Sequence, residues 1–237
     1  MKLIIVDKRI PTAALNNLSK LGELLLLETS NITYPAISGH PDIFITKLDE
    51  SLIVAPNTPN YITNQFLKMQ IPFNFGTKAV GSEYPDTASY NVVADDQIVL
   101  HNFQFTDDTV IQNVKHLKML TVKQGYSRCN CISLDGRGYI CSDKGIEKAL
   151  RSAEKNVLFV RPDEILLPGY ANGFFGGCTG VFDETLFLIG SLKFHSQGDE
   201  VELFVESLGF HIYELYDGPF FDGGGVFIVD ISSQIKT

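Results

Sequence analysis

The chain has 237 residues, 44% of them hydrophobic and 20% charged, with 20 glycines and 10 prolines. These are globular proportions and exclude a disordered, collagenous or coiled-coil chain. Lys and Arg number 19 against 28 Asp and Glu, a net charge of −9; that is a poor match for a phosphate backbone, so no nucleic-acid partner is expected.

No apolar run approaches the ~20 residues of a membrane span, so no membrane partner is expected either. The N-terminal run Leu3-Ile4-Ile5-Val6 is too short for the core of an export signal and is ended by Asp7. A cytoplasmic location follows as the expectation, with Cys129, Cys131, Cys141 and Cys178 as reduced thiols.

In chain order, an apolar strand over 2–6 leads to a helix over 11–21, with Pro11 as its first residue and Gly22 closing it, and then to a strand over 24–27. A hairpin over 44–49 and 52–55 turns at Asp49, followed by a helix over 59–69 and a strand over 71–75. The second hairpin (92–95 and 98–100) turns at Asp95; a helix over 107–117, capped by Thr106, and a strand over 119–122 come next. The third (131–135 and 139–141) turns at Asp135 and precedes a helix over 144–153, capped by Ser142, and a strand over 157–160. The fourth (180–183 and 186–189) turns at Asp183, before a helix over 198–208, closed by Gly209, and a strand over 211–215. A last apolar stretch, 226–230, ends on Asp230. Asp suits such turns because its carboxylate accepts from nearby backbone N–H groups.

The five Asp positions lie 46, 40, 48 and 47 residues apart. Five copies of one strand–helix–strand–hairpin unit, about 47 residues each, therefore make up an α/β chain read as one domain over 1–237. The last copy lacks its second hairpin strand. The strand over 2–6 can supply it, pairing the two chain ends and closing the array.

An array of five such units resembles the pentein fold, the five-bladed β/α propeller of the guanidino-group-modifying enzymes. Those include arginine and agmatine deiminases, dimethylarginine dimethylaminohydrolases and amidinotransferases. His40-Pro41-Asp42-Ile43-Phe44 resembles the family's His-x-Asp catalytic segment. Phe221-Asp222-Gly223-Gly224-Gly225-Val226-Phe227-Ile228 resembles the glycine-rich segment before its nucleophilic cysteine. The phrases GHPDIF, KQGYSRCN and GYANGFFGG are similar to an uncharacterised bacterial group of that fold. The resemblance implies a hydrolase or amidinotransferase that uses Cys/His/Asp chemistry on a small cationic guanidino or amidino compound in an axial pocket, with no cofactor and no metal. One departure stands out: the family's Gly-Gly-Gly-x-x-Cys position holds Ile228. The alternative reading is a non-catalytic small-molecule-binding protein that has lost this cysteine.

By the same resemblance five loops converge on the axis, over 39–42, 84–90, 124–131, 173–179 and 218–225. His40 titrates near neutrality and suits proton transfer. Asp42 shares its side if the segment is extended. Two units beyond His40, the family's interval from histidine to cysteine, lies Cys129, whose thiolate the adjacent Arg128 could stabilise. Asp222 completes a candidate catalytic set of His40, Cys129 and Asp222. Asp42, Asp86, Gln124, Arg128, Gly177, Cys178 and Gly224 are the candidate substrate contacts, with Cys178 a second candidate nucleophile. Strand parity opposes Cys129, which lies six residues before Asp135 where His40 lies nine before Asp49, so a bulge is required. A zinc site at Cys129-x-Cys131 with Cys141 lacks a CxxC pair and a fourth ligand. His101, His116 and His211 are expected to be structural or peripheral, and His195 to be exposed.

Overall fold

The computed structural model describes residues 2–48 and 51–231. It opens with β1 (Lys2–Asp7), α1 (Thr12–Leu18) and β2 (Glu23–Leu27). The next units are α2 (Pro41–Phe44), β3 (Ile45–Lys47), β4 (Leu52–Val54), α3 (Asn60–Lys68) and β5 (Phe73–Phe75), then β6 (Val93–Ala94), β7 (Ile98–His101), α4 (Asp108–Val114) and β8 (Lys118–Thr121). They are followed by α5 (Ser127–Asn130), β9 (Cys131–Leu134), β10 (Gly138–Cys141), α6 (Lys144–Ser152) and β11 (Val157–Phe159). A 3₁₀ turn at Gly176–Cys178 then leads into β12 (Thr179–Phe182), β13 (Thr185–Leu188), α7 (Gly198–Ser207), β14 (His211–Glu214) and β15 (Phe227–Asp230).

The strands form five small sheets of three, in a mixed α/β fold. In four of them a hairpin strand pairs antiparallel with the middle strand, which pairs in parallel with the strand after the helix: β3-β4-β5, β6-β7-β8, β9-β10-β11 and β12-β13-β14. The fifth joins the two ends of the chain. β1 runs parallel to β2 and antiparallel to β15, with Ile4 opposite Ile228. The middle strands β4, β7 and β10 are buried along their whole length, which is why they read as unbroken runs such as Leu-Ile-Val and Ile-Val-Leu-His rather than alternating.

Local chemistry explains the boundaries. Asp107 and Asp143 cap α4 and α6, accepting from Thr109 N and Ile146 N at 2.8 Å each. Each takes the cap from the neighbouring hydroxyl residue, because its carboxylate carries full charge to the helix N-terminus. In the hairpin turns, Asp95 Oδ1 accepts from Gln97 N and Ile98 N at 2.9 Å, while Asp135 and Asp183 take left-handed backbone conformations with φ of 48° and 51°. The turn residue Asp49 lies outside the described residues.

Ile228 sits on the face of β15 packed with Ile4, Val6, Ala14 and Leu18, where α1 covers the sheet. It is a core side chain, contributing roughly 2 kcal/mol of burial. A cavity of about 310 Å³ is lined by residues of the hairpin strand of every sheet, including Lys47, Ala94, Ser133, Val181 and Phe227. Among the described residues, no helix is long and apolar enough to cross a membrane.

Candidate active site

Three short turns, each just before a hairpin strand, carry the polar residues together. In α2, Pro41 occupies the first helical position, where its missing N–H has no helical partner to lose. His40 is therefore the N-cap residue and Asp42 lies in the first turn. α5 carries Arg128 and Cys129 in the same place before β9. The 3₁₀ turn at Gly176–Cys178 does this before β12.

Cys129 Sγ donates to Asp42 Oδ2 at 2.8 Å. Asn91 clamps the pair: its Nδ2 reaches Cys129 Sγ and the Asp42 carbonyl at 3.2 Å each, and its Oδ1 accepts from Cys129 N at 3.0 Å. A ring nitrogen of His40, a carboxylate oxygen of Asp42 and Cys129 Sγ all lie within 4.8 Å of one another. On its other sides the imidazole faces two more acids, with Nδ1 3.8 Å from Asp222 Oδ1 and Nε2 3.9 Å from Asp7 Oδ2. His40, Asp42, Cys129, Asp222 and Asp7 are all buried.

The glycine-rich segment fits around this cluster. Gly224 has φ +69°, and a Cβ there would stand 2.3 Å from His40 Cβ. A Cβ on Gly177 would stand 1.9 Å from Asp222 Oδ1. The Gly177 carbonyl accepts from Gly223 N and Gly225 N at 3.0 and 2.8 Å, tying the two loops together. Asp222 is held by Phe174 N at 2.9 Å and Gly224 N at 3.1 Å. Arg9 grips Asp7 through Nε at 2.9 Å and Nη2 at 2.5 Å and also donates to the Pro35 and Ala36 carbonyls. A pocket of about 290 Å³ is lined by Asp7, His40 and Asp222 together with Arg9, Pro35 and Phe221.

Burial dominates the electrostatics. It pushes Asp42 up to about 6, against the Cys129 hydrogen bond and the Arg128 charge, and Asp222 up to about 6, against His40. It pulls His40 below the ordinary imidazole value, opposed by Asp222 and Asp7. It also raises the Cys129 thiol well above its usual range, and Asp42 and Asp222 add to the rise. Cys129 is thus a thiol with a carboxylate acceptor already in contact. Arg128 does not offset this, because its guanidinium turns away to donate to the Gly176 and Thr179 carbonyls at 2.7 and 2.9 Å.

Of the residues singled out in the sequence, His40, Asp42, Cys129, Asp222, Gly177 and Gly224 come together. Others lie elsewhere. Asp86 is exposed: the Tyr84-Pro85-Asp86 stretch forms a surface turn, its carbonyl bound by Gly81 N at 3.3 Å, and the buried part of that loop is Thr87–Asn91 instead. Gln124 accepts from Tyr126 N at 3.0 Å and lines a separate surface cavity with Lys123 and Asp143. Cys178 donates to the Phe174 carbonyl at 3.3 Å inside an apolar cluster with Phe175 and Phe220. Cys131 and Cys141 face each other across β9 and β10 in another apolar cluster, apart from Cys129. His195 is buried rather than exposed, stacked on Phe220 with centroids 5.1 Å apart. His101 is structural, its ring nitrogens bonded to Thr106 Oγ1 and the Gly125 carbonyl.

Asp7, Arg9 and Asn91 were not singled out. Asp7 had a signal, a carboxylate ending a buried strand. So had Asn91, an amide between Tyr90 and the apolar Val92-Val93. The parity objection to Cys129 also dissolves: α2 and α5 are helical turns, in which side chains do not alternate.

No curated protein sequence matches the chain. Several solved structures do. Dimethylarginine dimethylaminohydrolase from Pseudomonas aeruginosa, a cysteine-to-serine mutant complexed with citrulline, matches with a TM-score of 0.53 at 10% identity over 90% of this chain and 91% of that one. Agmatine deiminase from C. jejuni gives 0.54 at 10% identity over 90% and 87%. An amidinotransferase of the saxitoxin biosynthetic pathway from Microseira wollei gives 0.53 at 9% identity over 97% and 93%. All three are pentein superfamily members, and at such identities the likeness bears on fold alone. A family model described as a family of unknown function (DUF6873) matches residues 5–227, and the chain belongs to that family.

Proposed function

We propose that the protein is a pentein-type enzyme, one domain whose five sheets are the blades of a closed β/α propeller, acting on a small guanidino or amidino compound. The pairing of β1 with β15 and the cavity lined from all five sheets support the closed ring. The contact between Cys129, Asp42 and His40 carries the chemical reading.

In this reading the amidinium of the substrate enters the pocket against Asp222, whose charge offsets its desolvation, while Asp7 stays paired with Arg9. The Cys129 proton passes to Asp42, and the sulfur attacks the amidino carbon, forming an S–C bond. Asp42 hands this proton on to His40, whose ring nitrogen lies within 4.8 Å, and His40 gives it to the departing nitrogen as the C–N bond breaks, so the amine leaves neutral. Water, deprotonated by His40, or an acceptor amine then attacks the same carbon and restores the thiol. Water gives a hydrolase, an amine an amidinotransferase. The free, buried cysteines fit a reducing cytoplasm.

A binding-only role is the second reading, favoured by the raised Cys129 thiol and by Arg128 turning away from it. The deciding experiment assays the chain against a panel of guanidino compounds for ureido product, released amine and transfer to added amines. Turnover lost by at least ~10³-fold in Cys129→Ser supports the enzyme, as expected when a nucleophile is removed. Saturable binding of the same compounds with no turnover supports the binding protein.

A further inference from the structure

We propose that His40, Asp42 and Cys129 together form a site for a single divalent transition-metal ion of zinc(II) type, held by an imidazole nitrogen, a carboxylate oxygen and a thiolate.

The three ligand atoms lie within 4.8 Å of one another. Tetrahedral zinc, with bonds of about 2.0–2.3 Å, places its ligands roughly 3.5 Å apart, so closure needs shifts of about 1 Å. The Asp42–Cys129 contact, at 2.8 Å, opens slightly to admit the ion. Two buried atoms of the cluster, His40 Nδ1 and Asp42 Oδ1, have no hydrogen-bond partner among the described residues. Buried polar atoms without partners are rare, and a bound ion is one of the few things that resolves them.

The donor set selects the ion. A thiolate with an imidazole and a carboxylate suits zinc and cobalt and discriminates against magnesium and calcium, which want oxygen alone. The surroundings have the form of an outer shell. Whichever ring nitrogen of His40 meets the metal, a carboxylate stands near the other: Asp222 by Nδ1 at 3.8 Å, Asp7 by Nε2 at 3.9 Å. Asn91 Nδ2, at 3.2 Å from the sulfur, supports a thiolate ligand. Three protein ligands leave a fourth position for water or an incoming group.

Binding involves no redox step: the Cys129 S–H proton goes to solvent as the S–metal bond forms. The ion and an electrophilic substrate would then compete for one sulfur, so metal occupancy would switch off the thiol chemistry proposed above. The site itself does not depend on that chemistry.

The test titrates the full-length chain, freed of metal by chelator dialysis, with cobalt(II) and then zinc(II). The expected result is one cobalt per chain with tetrahedral d–d bands and a sulfur-to-cobalt charge-transfer band, all displaced by one equivalent of zinc. Cys129→Ser removes the charge-transfer band, His40→Gln and Asp42→Asn each weaken binding at least ~10-fold, and Cys131→Ser and Cys178→Ser change neither. Should Cys129→Ser fail to fold, as judged by its melting curve, the other four variants decide. Absence of the charge-transfer band in the unmodified chain, its survival in Cys129→Ser, or its loss in Cys131→Ser or Cys178→Ser overturns the site. Alkylation of Cys129 by an amidino electrophile in metal-free protein is scored separately. If it proceeds while no metal binds, the metal site falls and the thiol reading stands; if metal binds as described without alkylation, the reverse holds.

Discussion

The Cys129 thiol donates to the Asp42 carboxylate at 2.8 Å, joining two turns 87 residues apart in sequence. The carboxylate both accepts the thiol proton and, by its charge, keeps the proton in place. Asp42→Asn removes that charge. The thiol–thiolate midpoint of Cys129 is therefore expected to fall, and iodoacetamide to label it faster at a fixed pH. The labelling rate of Cys129 as a function of pH measures this, and an unmoved midpoint contradicts it.

The same substitution changes how stability depends on pH. Asp42 has a folded value of about 6 against 3.8 for the free side chain. Between those values the folded chain keeps a proton that the unfolded chain has lost, so wild-type stability falls as pH rises through the window. Above it the cost of the buried charge is fully present. The difference between Asp42→Asn and wild type should therefore shift in favour of the variant, by up to about 3 kcal/mol between pH 4 and pH 7. Urea unfolding of both proteins at the two pH values reads the shift, and a pH-independent difference refutes it.

Gly224 and Gly169 make a matched pair. Both have positive φ, +69° and +88°, but a Cβ at Gly224 meets His40 at 2.3 Å and one at Gly169 meets nothing within 4 Å. Gly169→Ala should cost about 1 kcal/mol from backbone strain alone. Gly224→Ala should cost more and also displace His40, changing the titration of its ring protons by NMR. Equal costs with an unchanged His40 spectrum would show that the imidazole is not held by this contact.

Asn91 clamps Cys129 to Asp42. Asn91→Leu keeps the branching and the number of side-chain heavy atoms but removes three hydrogen bonds to Cys129 and Asp42. Thermal unfolding should show a loss of about 2–4 kcal/mol, because buried polar groups are left unpaired. A near-neutral effect would mean that the turns hold Cys129 unaided.

Much of the architecture was legible because it repeats. Hairpin turns at Asp95, Asp135 and Asp183, helices at nearly the expected places, and the strand pairing of the chain ends all follow from apolar period and turn chemistry. The site was legible where a motif carried it, as at His40-x-Asp42 and the glycines before Val226. It was not legible where contact depends on which way a turn faces. Asp86 and Gln124 sit in the expected loops but face away from the cluster, whereas Asp7, the last residue of β1, and Asn91, two residues before β6, reach His40 and Cys129. The side a loop presents is decided by packing between units distant in sequence, which periodicity does not encode.

The most direct test of Cys129 as the attacking group is labelling of the native, metal-free chain with an α-haloamidine, followed by mass spectrometry of its peptides. The amidinium should bring the electrophile to Asp222, so Cys129 is modified first and saturably, ahead of Cys131, Cys141 and Cys178, and an uncharged haloacetamide of similar size labels it more slowly. Modification of Cys178 ahead of Cys129, or no preference for the cationic reagent, would contradict a nucleophilic Cys129 in a cation-binding site.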